Sequence, residues 1–210
     1  MNWISLISLP VAYLIGSISS AYIIARVNGK IDVRDEPDGK ISAAAVYRRV
    51  GLLSFLGVVA LDIGKAILAV LIAWWLNADL LVLLLAGIFA IAGHQWSIFL
   101  KFQGGLGATT IGGVLFAIVT LPMLVGAAIA AILAWRTKNS SYSFGIGVIM
   151  IAIVLFAMQW STVVQPWNFI SPPPFPPSPL LIVYPLLLLL MMVLKWLQVK
   201  YRPGAPLIVK

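Results

Sequence analysis

Runs of apolar residues close to 20 long constrain this chain more than any other feature. Residues 51–76, 80–100, 109–135, 144–164 and 180–197 carry almost no charge. A helix rises about 1.5 Å per residue, so about 20 apolar residues cross a hydrocarbon core roughly 30 Å thick. In lipid every backbone N–H and C=O needs an internal partner, which leaves helices or closed barrels. The runs lack the period-2 alternation of barrel strands. With 62% hydrophobic and 10% charged residues, a soluble globule would lack the polar side chains to cover itself. The expected fold is all-α, a polytopic helical integral membrane protein with about seven transmembrane or partly re-entrant helices. The expected organisation is a single membrane domain over residues 1–210.

Several chemistries are excluded at once. The chain has no cysteine, so disulfides, thiolate nucleophiles and Cys-ligated metals are impossible. One histidine and six acids argue against a metal cluster. The formal charge of +8 is explained first by cytoplasmic loops beside anionic lipid, not by nucleic acid. An anionic substrate is compatible with it. No basic segment precedes the first apolar stretch, so the N-terminus reads as a retained helix.

Residues 3–25 form the expected first span, with a kink at Pro10 and a small-residue face at Gly16, Ser17, Ser19, Ser20 and Ala21. Residues 26–50 carry Arg26, Lys30, Arg34, Lys40, Arg48 and Arg49. The positive-inside rule makes this loop cytoplasmic and the N-terminus external. The acids Asp32, Asp35, Glu36 and Asp38 cluster about an EPDG turn, and residues 43–49 begin a helix that runs into the second span. Asp62 and Lys65, at i,i+3, share a face inside that span, as a structural or functional intramembrane pair. Residues 77–79 turn outside and residues 80–100 return.

As a single helix, residues 109–135 would place Arg136, Lys138 and the basic tail outside. A break near Pro122 keeps them cytoplasmic. The Pro-rich loop 165–179 is then an external, extended connector, and residues 198–210 form a basic cytoplasmic tail.

The stretch GHQWSIFLKFQGGLGATT, residues 93–110, holds the only histidine. Gly104, Gly105 and Gly107 have no Cβ, so their backbone can approach a ligand closely. Successive N–H groups leading into a helix N-terminus make an anion cradle. Thr109 adds a hydroxyl and Lys101 a charge. The Lys-Ser/Thr ending of a P-loop is absent. Three polar stations then share the cytoplasmic side: residues 26–49, 94–110 and 136–143. Together they suit a phosphorylated polar substrate and an acyl chain.

Taken in order, these motifs resemble those of the bacterial acyl-phosphate-dependent glycerol-3-phosphate acyltransferases, the PlsY type. The matching pieces are YLIGSISSAYIIAR (13–26), Arg48 ahead of Gly51-Leu52, Asp62-Ile-Gly-Lys65, AGHQWSIFLKFQGGLGATT (92–110), and Arg136 with its serine cluster. They lie within residues 1–143. The resemblance implies a bacterial inner-membrane enzyme with its active site on the cytoplasmic side. Its reaction passes an acyl group from acyl phosphate to glycerol 3-phosphate, giving lysophosphatidic acid for phospholipid synthesis. It implies that Gly104, Gly105 and Gly107 bind phosphate and that no metal or organic cofactor takes part. Arg48 and Arg136 would hold substrate phosphate, Ser140, Ser141 and Ser143 would hydrogen-bond it, and His94 would support the loop.

The chain also departs from the pattern. The family's Ser-Gly-Asn…Gly-Ala-Thr-Asn stretch reads DGKISAAA here, and its Gly-Gly-Lys-Gly reads Gly104-Gly105-Leu106-Gly107. The C-terminal His…Asn-Ile pattern is missing. These losses leave a second reading open, a catalytically impaired paralogue that binds lipid, phosphate or a partner protein.

Overall fold

The computed structural model describes residues 3–35, 41–160 and 178–201. The EPDG turn, most of the Pro-rich loop and most of the basic tail lie outside the described residues.

The first apolar run is two helices, and Pro10 does not break it. A 3-10 turn over Trp3–Ile7 leads into α1, Ser8–Ser17. Pro10 sits in the first turn of α1, where its missing N–H removes no helical bond. The break falls instead at Ile18, whose backbone is extended, with Ser19 capping α2, Ser20–Gly29. The Ser19 hydroxyl accepts from the Tyr22 N–H at 3.4 Å.

Ser42 caps α3, Ala43–Val50, by accepting from the Ala45 N–H at 3.2 Å. The helix does not run on into the second span. Gly51 interrupts it at φ +113°, a backbone angle that side chains disfavour, and α4 starts afresh as Leu52–Trp75. Asp79 caps α5, Leu80–Gln95, through the Val82 N–H at 3.0 Å. The long apolar run after the glycine loop is split into two helices. α6, Ala108–Ile118, ends at Val119, and α7 is Thr120–Thr137 with Pro122 in its first turn. α8 is Ser140–Trp160 and α9 is Pro179–Lys200.

Among the described residues five stretches are long and apolar enough to cross a membrane: Trp3–Gly29, Leu52–Trp75, Leu80–Leu100, Thr120–Thr137 and Pro179–Lys200. α6 and α8 supply two shorter apolar segments.

The chain forms two compact units. One comprises Met1–Gly113 with Met192–Lys210, the other Val114–Met191. In the first, α1 and α5 lie backbone to backbone. A Cβ on Gly16 would sit 2.0 Å from the Ala90 carbonyl oxygen, and one on Gly93 would sit 2.1 Å from that of Tyr13. Lipid tails are as apolar as leucine, so such close approach is what holds two helices together in a bilayer. Beside them Ala21, Ala25, Val33, Ile41, Val46, Val58 and Leu100 form a buried cluster. It seats the first loop and α3 against α2 and α4. In the second unit α7 and α8 cross at Gly126 and Gly147, each meeting the other's backbone.

Candidate functional site

After α5 the chain passes through a 3-10 turn, Ile98–Leu100, and then the glycine loop before α6. Lys101 and Phe102 take left-handed φ values of 54° and 60°, which reverse its direction. The Phe102 N–H donates to the Ser97 carbonyl at 2.7 Å and closes the turn. The loop then folds back onto the end of α5. A Cβ on Gly104 would lie 2.1 Å from the His94 carbonyl oxygen. One on Gly105 would meet His94 Nε2 at 2.4 Å and the Ile41 carbonyl oxygen at 2.8 Å. Gly107 stands at φ +89°, and the Gln95 amide donates to the Leu106 carbonyl at 2.9 Å. Glycine is therefore required here by packing and by backbone angle.

The N–H groups of the loop are divided. That of Gly105 is committed to the His94 carbonyl at 3.2 Å. Those of Gly104, Leu106 and Gly107 donate to no backbone carbonyl among the described residues. They run into the start of α6, whose first N–H groups have no helical partner. This is an anion-favouring arrangement made of backbone, and Leu106 takes no part in it through its side chain.

Beneath the loop lies a buried polar network. Asp62 and Lys65 on α4 are 2% and 8% exposed. Lys65 Nζ lies 2.9 Å from Asp62 Oδ1, 3.0 Å from His94 Nδ1 and 2.7 Å from the Ile18 carbonyl oxygen. The Ile18 carbonyl and His94 Nδ1 stand in hydrogen-bond geometry with the ammonium, whereas Asp62 Oδ1 is its ion-pair partner and accepts no hydrogen bond among the described residues. The second oxygen of Asp62 accepts from the Thr109 hydroxyl at 2.9 Å, which ties the network to the first turn of α6. The break between α1 and α2 is part of the same construction. Its carbonyls lack helical partners, and Lys65 takes that of Ile18 while the Ser97 hydroxyl takes that of Ser17 at 2.5 Å. The Tyr13 hydroxyl donates to the Trp96 carbonyl at 2.7 Å.

His94, Asp62, Lys65, Thr109 and the three glycines thus come together in one place. Lys101 is exposed on the outer side of the turn, and Arg48 is exposed on the last turn of α3. Arg136, Ser140, Ser141 and Ser143 belong to the second unit. There Arg136 is exposed, with its guanidinium 6.0 Å from the Trp135 ring centre. Ser140 is exposed, whereas Ser143 is buried and donates to the Asn139 carbonyl at 2.8 Å.

Several residues of the site escaped the sequence reading. Ile18 enters through its carbonyl, which no side-chain pattern reports, although Ser19 was a legible cap signal inside an apolar run. Gln95 and Ser97 hold the loop from within the motif. Lys195, buried in the last turns of α9, stacks on the Trp96 ring at 5.1 Å and shares Gln198 with the Trp96 indole. No spacing in the sequence links it to residue 96.

Comparison with known proteins bears on the same residues. The family model described as Glycerol-3-phosphate acyltransferase matches residues 6–202. "Glycerol-3-phosphate acyltransferase 2" of Moorella thermoacetica is 43% identical over 118 residues, 56% of this chain and 60% of that protein. The chain thus spans about three-fifths of that relative's length. "Glycerol-3-phosphate acyltransferase" of Thermoanaerobacter pseudethanolicus is 36% identical over 152 residues, 72% of this chain and 76% of that protein. Among solved structures, the crystal structure of PlsY (YgiH), an integral membrane glycerol 3-phosphate acyltransferase in its glycerol 3-phosphate form, superposes with a TM-score of 0.76. It is 23% identical and covers 92% of this chain and 88% of that one. At that identity the likeness establishes the fold. Together with the apolar helices, these matches place the chain in the glycerol-3-phosphate acyltransferase family of multi-pass integral membrane proteins.

Proposed function

We propose that this protein is an acyltransferase that passes an acyl group from acyl phosphate to glycerol 3-phosphate, forming lysophosphatidic acid. The observation that carries the reading is the glycine loop, its backbone folded onto His94 and opening into α6. The acceptor hydroxyl oxygen bonds to the acyl carbon while the acyl–phosphate oxygen bond breaks. The hydroxyl proton leaves with inorganic phosphate. Phosphate is a good leaving group, so the protein's task is to bind, neutralise and align. The N–H groups of Gly104, Leu106 and Gly107 hold one phosphate. Arg48 and Lys101 supply further charge for the substrates, and on the second unit Arg136 and Ser140 are exposed to offer charge and a hydroxyl. The basic loops support a reading in which this side faces the cytoplasm of a bacterial inner membrane and the N-terminus lies outside. The lipid bilayer delivers the acyl chain, and no cofactor is required.

The test is formation of lysophosphatidic acid by purified protein in lipid nanodiscs supplied with acyl phosphate and labelled glycerol 3-phosphate. Product lost on Arg136→Ala supports the reading. Leu106, an apolar side chain in a phosphate loop, favours the second reading, a binding protein without turnover. No product, with folded protein that still binds glycerol 3-phosphate, would establish that one.

A further inference from the structure

The only histidine of the chain touches both the buried ion pair and the glycine loop. Its two ring nitrogens face different partners. Nδ1 lies 3.0 Å from Lys65 Nζ and 3.6 Å from Asp62 Oδ1. An ammonium only donates hydrogen bonds, so at 3.0 Å Nδ1 must present its lone pair. A neutral imidazole that accepts at Nδ1 carries its proton on Nε2. Nε2 is the ring atom that meets Gly105, and it donates to no protein acceptor among the described residues. The side chain keeps 11% of its surface open.

Gly105 itself offers no N–H to a ligand, because its own is held by the His94 carbonyl. We infer that the Asp62–Lys65 pair is a positioning pair. It locks His94 in the Nε2–H form, and that N–H serves as the anion donor of the glycine loop at Gly105, for the phosphate of a phosphorylated substrate. The inference rests on the proposed acyltransferase reading only for the identity of that substrate. Each part of the network has a role in this arrangement. The Ile18 carbonyl accepts one ammonium hydrogen, and the Asp62 carboxylate holds the ammonium beside Nδ1 as its ion-pair partner. Thr109 occupies the other Asp62 oxygen and orients the carboxylate.

A single histidine makes the test unambiguous. Full-length protein carrying 15N-histidine and no polyhistidine tag, in lipid nanodiscs, gives one pair of ring nitrogen signals. The expected spectrum is that of a neutral ring protonated at Nε2, with Nδ1 as acceptor. Inorganic phosphate or glycerol 3-phosphate should then shift the Nε2 signal. A ring protonated at Nδ1, or at both nitrogens, would overturn the inference without any ligand or variant. In Lys65→Met the ring can instead donate from Nδ1 to Asp62, so the proton moves to Nδ1. KM for glycerol 3-phosphate should rise about tenfold, with kcat changed less than about threefold. A purely structural role for Lys65 would leave the tautomer of the folded variant unchanged. Normal turnover with a ring that ignores both phosphates sinks the inference and leaves the acyltransferase reading standing. A responsive ring with no lysophosphatidic acid formed does the reverse.

Discussion

Thr109 is a small residue with a large electrostatic duty. Its hydroxyl is a hydrogen-bond donor to Asp62 Oδ2, a carboxylate oxygen enclosed by helices. Thr109→Val keeps the shape and deletes that donor to a buried charge. It should lower stability by about 1.5–3 kcal/mol, read as a drop in melting temperature in detergent. No change would mean that water replaces the hydroxyl. Asp32, in the first loop, makes a two-point contact with Arg34, Nη2 to Oδ2 at 2.6 Å and Nε to Oδ1 at 2.9 Å. The Arg34 hydrogen bond lowers the Asp32 pKa to about 2. The folded value lies below the ordinary value of about 4, so the pair stabilises fully above that pH. The contribution fades as pH falls toward 2. In Arg34→Ala the Asp32 carboxyl should titrate nearer its ordinary value, as followed by carboxyl NMR. An unmoved titration would rule Arg34 out as the cause. At this scale the sequence was informative: Asp62, Lys65, His94 and the glycines all stood out by type. The Asp62–Lys65 pair was legible from its i,i+3 spacing, but its contact with His94 was not, because Lys65 and His94 are on different helices.

Among the elements, the first span shows how a break can be functional. Residues 8–29 form two helices because Ser19 caps the second, and the freed carbonyls are taken by Lys65 and Ser97. Proline was the louder signal and the wrong one. At the third position of a helix its missing N–H costs nothing, whereas a serine cap offers the chain a new start. The α1–α5 pair depends on Gly16 and Gly93, which admit the opposing backbone. Gly93→Ala should force the helices apart and cost about 1–3 kcal/mol. It should also weaken glycerol 3-phosphate binding, since His94 is the next residue on α5. Stability and binding at wild-type levels would show that α1 shifts without strain. The break before α7 was legible from charge, because the positive-inside rule favours Arg136 and Lys138 on the side of the other basic loops. Its position at Val119, one residue ahead of α7, reflects local backbone geometry that charge does not report.

For the whole molecule the decisive property is the side of the membrane each loop occupies. The chain has no cysteine, so single cysteines can be introduced without background. A membrane-impermeant thiol reagent added to intact cells should label Asn77→Cys and spare Lys138→Cys until the membrane is opened. Labelling of both from outside would refute the split run and its orientation. By itself the sequence determined the class of fold, since long uncharged runs have only one economical way to satisfy their backbone in lipid. It also determined the family, since glycine, histidine and charge at fixed spacings survive as letters. Only the tertiary structure decided that Lys65 of α4, His94 of α5, Thr109 of α6 and the carbonyl of Ile18 share one buried network. The reason is physical: hydropathy reports how a residue prefers lipid to water, and it is blind to which helix face another helix will cover.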